Sequence, residues 1–197
     1  MSVNTLPDPI ATFNLHWRDS LRASPLKQKS AVCVSTLCAD GFPNSRFVDL
    51  KLADDRGLVF CTSLDSAKAR DIARNAKAGI TAWWDHIGIQ ARFQGTCEPI
   101  SDEEATVHWR SRSRDAQLTT ASFHQSMPLD DPARLATTLQ STRREYADRE
   151  IERPVTWGGY RLVPVHVELL EFRDDRLHVR TCYTRVGGSW KLGHLQP

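Results

Sequence analysis

Long apolar runs are missing from this 197-residue chain; none approaches the roughly 20 residues a membrane-crossing helix needs, so no membrane span is expected. An excess of either charge is missing too: 26 basic against 24 acidic residues leave a formal net charge of +2, too balanced for a nucleic-acid partner. Cysteine is sparse and scattered singly at Cys33, Cys38, Cys61, Cys97 and Cys182, with no C-x-x-C pair and an odd total. That excludes a disulfide framework and a zinc site, and the histidines form no H-x-x-x-H array, so no metal is expected. There is no Ser-His-Asp set, Walker loop or G-x-G-x-x-G string, which removes the usual nucleophilic, NTPase and dinucleotide readings. Met1 to Pro9 holds no apolar core, so no secretory signal is read there and a cytoplasmic location is the expectation. Repeats and low-complexity linkers are also lacking, and a single domain over residues 1–197 follows.

What is present is an ordinary globular composition, 40% apolar and 25% charged. Ile10, Phe13, Trp17 and Leu21 recur at helical spacing behind Asp8 and Pro9, which predicts an opening amphipathic helix. Ala31–Cys38 and Ser45–Leu52, parted by turn residues, read as a hairpin, and Leu58–Thr62 as a third strand. Ser66–Ala76 has the propensity and cap of a short helix. Gly79–Trp84 and Ile87–Glu98 read as strands, Ser101–Glu104 as a capping box opening a helix, and Asp130–Asp148 as a longer helix. Trp157–Phe172, Leu177–Arg185 and Ser189–Leu195 close the chain as strands. Without regular strand-helix alternation, a mostly β (α+β) antiparallel barrel with peripheral helices is predicted.

Three local features carry chemistry. Lys68 falls in the first turn of the Ser66 helix, where free N–H groups and the helix dipole favour an anion. Arg176, His178 and Arg180 alternate with Leu177 and Val179, so on a strand they would share one cationic face. Arg110 to Asp115 is a third basic concentration. Together they suggest binding of a phosphorylated cofactor.

Ordered strings extend this. Arg46–Lys51, Cys61–Ser63, Ser66–Lys68, Gln90, Ser111–Gln117, Gln125–Ser126, Trp157–Tyr160 and Arg176–Arg180 follow one another as they do in the pyridoxamine 5'-phosphate oxidases, which the chain resembles from about Leu6 to Pro197. The resemblance implies an FMN-binding split β-barrel working as a homodimer. It implies an oxidase that converts pyridoxamine or pyridoxine 5'-phosphate to the aldehyde with O2, releasing H2O2. Arg46, Val48, Lys51, Thr62, Ser66, Lys68, Gln90, Gln125, Ser126 and Arg180 look like FMN contacts. Lys51, His108, Arg112, Arg176 and His178 look like substrate contacts, with Arg176 and His178 in the catalytic role. The types suit the chemistry, because a phosphate needs cations, hydroxyls and backbone donors.

Several positions depart from the family. Cys61 stands for a Tyr, Ala67 for an Arg, Leu170 for a Trp over the flavin, His108 for a Tyr, Ala116 for a Ser and Val179 for an Asp, while Asp49 replaces an apolar residue. If His108 holds the phosphate as imidazolium, activity falls as pH rises through its pKa. The alternatives are an FMN oxidase with another, secondary-metabolite substrate and a non-catalytic flavin or pyridoxal-phosphate binder. Arg46 and Lys51 are an odd number of residues apart, so both reach one ligand only if a bulge intervenes.

Overall fold

A computed structural model describes residues 8–197. Met1–Pro7, which hold most of the stretch read as lacking a secretory signal, lie outside the described residues. Asp8 caps the first helix, α1 (Pro9–Ala23), by accepting from the Ile10 N–H at 2.9 Å. The strands are β1 (Ala31–Leu37), β2 (Pro43–Asp54), β3 (Gly57–Ser63), β4 (Lys77–Trp84), β5 (Ile89–Pro99), β6 (Trp157–Glu171), β7 (Val179–Val186) and β8 (Ser189–Leu195). Between them lie α2 (Ala67–Arg74), α3 (Asp102–Arg110), α4 (Arg114–Ser122) and α5 (Arg134–Glu145). All pairings are antiparallel, in the order β3-β2-β1-β4-β5-β6-β7-β8, and a β3–β6 pairing closes six strands into a barrel.

Alternation fills that barrel. Val32 and Val34 of β1 and Ala91 and Phe93 of β5 point inward and are buried, and β3 is buried along Gly57–Phe60. Helix α1 caps the core, with Phe13 fully buried and its ring edge-on to Phe93 at 4.9 Å. Closure depends on glycine. A Cβ on Gly57, whose φ is +140°, would stand 2.1 Å from the Leu162 carbonyl oxygen, and one on Gly159 2.5 Å from that of Phe60. A second cluster of Trp109, Leu118, Ile151 and Trp157 seats α3 and α4 beside the barrel.

The barrel is split where β2 and β3 part. Their pairing covers only Leu50–Asp54 against Gly57–Phe60; beyond it Pro43–Asp49 pair with β1 and Cys61–Ser63 with β6. The register slips between Leu50 and Leu52, so Lys51 is a bulged residue. The bulge allows Arg46 and Lys51 to line one cavity despite their odd spacing.

Three expected elements differ. The helix expected over 130–148 is the shorter α5, and α4 was unforeseen because its start reads as a solvated charge run. The strand expected from Leu177, β7, begins at Val179, so Arg176 sits in the preceding turn with φ +65° and shares no strand face with Arg180. Ser101 does cap α3, accepting from the Glu104 N–H at 3.1 Å, but the Glu104 carboxylate is turned to Arg161.

Candidate functional site

The split opens into a cavity of about 1090 Å3, just above the usual range for small-molecule sites. Beta strands 2 and 3 form one wall, the start of α2 a second, and α4 with the segment after it a third.

At the α2 end the Ser66 hydroxyl caps the helix by accepting from Ala69 N–H at 3.4 Å, and it lies 3.2 Å from Thr62 Oγ1. Lys68 is only 6% exposed, and its Nζ donates to Thr62 Oγ1 at 3.0 Å. No carboxylate lies within salt-bridge reach of Lys68 among the described residues. Burial, with the nearby Arg46 guanidinium second, pulls its ammonium down to about 8. Arg46 Nη1 donates to Thr36 Oγ1 at 2.8 Å and to the Val34 carbonyl at 3.2 Å. Its Nη2 is buried without a hydrogen-bond acceptor, 3.6 Å from Asp71 Oδ2. A buried cation without counterion and an orphaned guanidinium N–H are what an incoming phosphate would satisfy, so these residues fit FMN.

The segment after α4 reaches the same place. Gln125 Oε1 accepts from Thr62 Oγ1 at 2.9 Å and from the Ser63 N–H at 3.3 Å. Ser126 Oγ accepts from the Ala67 N–H at 3.2 Å, with Ser126 itself in the left-handed region at φ +70°. A non-glycine residue there costs about 1–3 kcal/mol and persists where the surroundings demand it.

At the other end lie Lys51, Cys61, Arg112 and Ala116. The Arg112 guanidinium sits 5.2 Å from the Trp109 ring centroid and 4.9 Å from that of Trp157. Its Nη2 donates to the Ala116 carbonyl at 2.8 Å. Burial pushes the Cys61 thiol up to about 12, so it stays neutral. Lys51 Nζ is 3.5 Å from Asp49 Oδ2.

His108 is placed differently from expectation. It lies on α3, outside the cavity lining, with Nε2 buried and unpartnered. Burial pushes its pKa below the usual imidazole value, which disfavours the imidazolium form that holding a phosphate would call for.

Gln90, Arg176, His178 and Arg180 do not line this cavity. Gln90 faces Leu170, which in turn pairs with Arg180, in one row across β5, β6 and β7. Arg180 Nε donates to Glu168 Oε1 at 2.8 Å, and Arg92 reaches the other oxygen at 3.1 Å. His178 Nδ1 accepts from the Arg173 N–H at 3.1 Å, which puts the proton of a neutral ring on Nε2. The turn is pinned by Asp175, whose carboxyl is drawn to about 2 by the Arg173 guanidinium and the Leu177 N–H.

Sequence reasoning missed Asp71, which accepts from Thr36 Oγ1 at 2.7 Å beneath Arg46, and the two indoles that hold Arg112. No local spacing signals either. It also missed that His166, Glu168 and Cys182 bring ligand atoms within 4.8 Å of one another. Glu168 is already committed to two guanidiniums, which oppose a metal cation there.

Residues 19–144 match the family model described as pyridoxamine 5'-phosphate oxidase, and residues 157–197 that of the pyridoxine 5'-phosphate oxidase C-terminal dimerisation region. The chain is 38% identical over 191 residues to the pyridoxine/pyridoxamine 5'-phosphate oxidase of Anaeromyxobacter dehalogenans, covering 97% of this chain and 96% of that protein. Among solved structures, PhzG from Burkholderia lata 383, in complex with tetrahydrophenazine-1-carboxylic acid, superposes with a TM-score of 0.87 at 28% identity, covering 100% of both chains. A pyridoxamine 5'-phosphate oxidase-related, FMN-binding protein from Nostoc punctiforme gives 0.79 at 20% identity, covering 97% of this chain and 98% of that one, a likeness of fold.

Proposed function

The chain belongs to the pyridoxamine 5'-phosphate oxidase family and is an oxidase of that type, and from that premise we propose that it binds FMN and oxidises pyridoxamine or pyridoxine 5'-phosphate to pyridoxal 5'-phosphate. The supporting observation is the buried Lys68 ammonium, without a counterion among the described residues, beside Arg46 in the split of the barrel. When bound, FMN would supply the redox chemistry, accepting a hydride from the substrate carbon and giving two electrons to O2 as H2O2, while the alcohol loses a proton to become the aldehyde and the amine becomes an imine that water hydrolyses to aldehyde and ammonia. Arg46, Lys68, Ser66 and Thr62 hold the cofactor phosphate, helped by Gln125 and Ser126, while Val48 packs beside them. Lys51 and Arg112 hold the substrate anion.

Arg176, His178, Gln90 and Arg180 complete the site from a second copy of the chain, since they lie off the cavity in their own protomer. In that role Gln90 and Arg180 face the flavin, and Arg176 and His178 orient the substrate carbon and shield it from water. A homodimer follows, in keeping with the dimerisation-region match. With Leu170 in place of an aromatic cover, His108 outside the lining and Ala116 without a hydroxyl, the phosphate subsite is thinly equipped. That favours as a second reading a ring carboxylate substrate, the ligand type in the PhzG complex.

Oxygen uptake by FMN-loaded protein decides between them. Consumption with pyridoxine or pyridoxamine 5'-phosphate, with peroxide released and lost in Arg176→Ala, is expected. Uptake with a reduced phenazine carboxylate alone moves the assignment to the second reading. Binding without any uptake marks a non-catalytic binder.

A further inference from the structure

We infer that Asp49 sets the charge class of the substrate, tuning the Lys51–Arg112 end of the cavity to a singly charged anion instead of a phosphate dianion. The inference rests on the oxidase reading and, within it, favours the ring-carboxylate substrate over the phosphate ester. Asp49 is the only carboxylate among the described residues that line the cavity. It stands on β2 two residues from the Lys51 bulge and in the cavity lining, with Oδ2 3.5 Å from Lys51 Nζ, and its side chain is about half exposed. Within this protomer the other groups near this end add no charge of either sign, and Arg176 and His178 of the second copy meet the substrate carbon, not its anionic group. The Cys61 thiol is neutral, and His108 lies outside the lining with burial disfavouring its charged form. Glu104, behind them, is held by Arg161 at 2.7 Å and Arg56 at 3.9 Å. Ala116 offers only its carbonyl, which already takes an Arg112 N–H.

Two cations and one carboxylate therefore leave a single positive charge for the ligand. A monoanion entering between Lys51 and Arg112 neutralises it. A phosphate monoester, whose second pKa is about 6, is mostly a dianion at pH 7.5 and leaves an excess negative charge beside Asp49. An uncompensated charge in a half-enclosed site is costly, and like-charge placement discriminates between partners more than it adds affinity.

A pair of esters with one shape and different charge tests this: pyridoxal 5'-phosphate and pyridoxal 5'-sulfate, the latter a monoanion at all working pH values. Their Kd values are measured on FMN-loaded wild type, Asp49→Asn and Asp49→Ser, with FMN content as the check that each variant folds. Wild type is expected to bind the sulfate at least as tightly as the phosphate. Both variants should gain about tenfold for the phosphate, ~1.4 kcal/mol, and no more than about threefold for the sulfate. An unchanged phosphate-to-sulfate ratio in the variants overturns the inference and leaves the oxidase reading standing. So does a wild type that prefers the phosphate more than about tenfold, ~1.4 kcal/mol. If neither ester binds, the vitamin B6 substrate falls. The charge rule is then read on phenazine-1-carboxylate, whose Kd must change less than about threefold in Asp49→Asn, a larger gain overturning it.

Discussion

Lys68 makes two opposite demands on pH. Its folded pKa of about 8 lies below the ordinary 10.5, so between those values the unfolded chain carries the extra proton. Stability of the FMN-free protein should therefore rise as pH climbs from 8 toward 10.5, by ~3 kcal/mol at most. Binding of FMN should run the other way, weakening above pH 8 because the phosphate needs the charged ammonium. Thermal melts and fluorescence titrations across pH 7–10 read both, and riboflavin, without the phosphate, should bind independently of pH in this window. Lys68→Ala should cost FMN about 1–3 kcal/mol and riboflavin nothing; equal losses for both would remove the phosphate role. At the opposite end of the cavity, Ala116→Ser returns a hydroxyl beside Arg112. It should lower the KM for pyridoxine 5'-phosphate up to about tenfold with kcat little changed, the scale of one hydrogen bond to a charged group.

Among the elements, β2 and β3 show why some of the site was readable and some not. Ser66 and Lys68 give a local hint, since a cap residue followed by a cation at a helix start can hold an anion, but an ordinary solvated helix face has the same pattern and the ordered family strings are what single them out. Lys51 did not, because strand parity sends it away from Arg46 until the bulge at Leu50–Leu52 resets the phase. Gln125 and Ser126 arrive from 57–63 positions away to meet Thr62, Ser63, Ala67 and Lys68, and no spacing encodes that. The run Arg110–Asp115 concealed the start of α4, as its charges read as solvated until the Trp109 and Trp157 rings close on Arg112. The β3–β6 seam was equally silent, although its glycines stood in the sequence. Gly57→Ala should destabilise by more than ~2 kcal/mol, since its Cβ meets a backbone oxygen that cannot yield and its φ is one L-residues avoid. A melt within a degree of wild type would argue against so tight a closure.

For the molecule as a whole, the proposed dimer assigns the cavity of one chain and that chain's own Arg176–His178 turn to two different sites. Light scattering on FMN-loaded protein should give about twice the 22.3 kDa chain mass. A mixing experiment goes further. Arg112→Ala and His178→Ala proteins, each inactive, unfolded and refolded together, should recover up to about a quarter of wild-type activity, because half of the dimers are then hybrids with one intact site. No recovery would place both residues in one protomer's site.

The seam between β3 and β6 also governs when the protein becomes competent. It joins Leu58 to Leu162, so all of α2–α5, with β4 and β5, lies inside one long loop that the seam must close. Closing such a loop carries a large entropic cost before any contact rewards it, which makes the seam a late event in folding. The seam also carries Trp157, whose ring holds Arg112, and Thr62, which meets Gln125. A nascent chain released before β6 has threaded home would hold its flavin determinants in order along the sequence yet apart in space. Capture of the cofactor during refolding should accordingly track the slowest phase, and added FMN should speed none of the earlier ones.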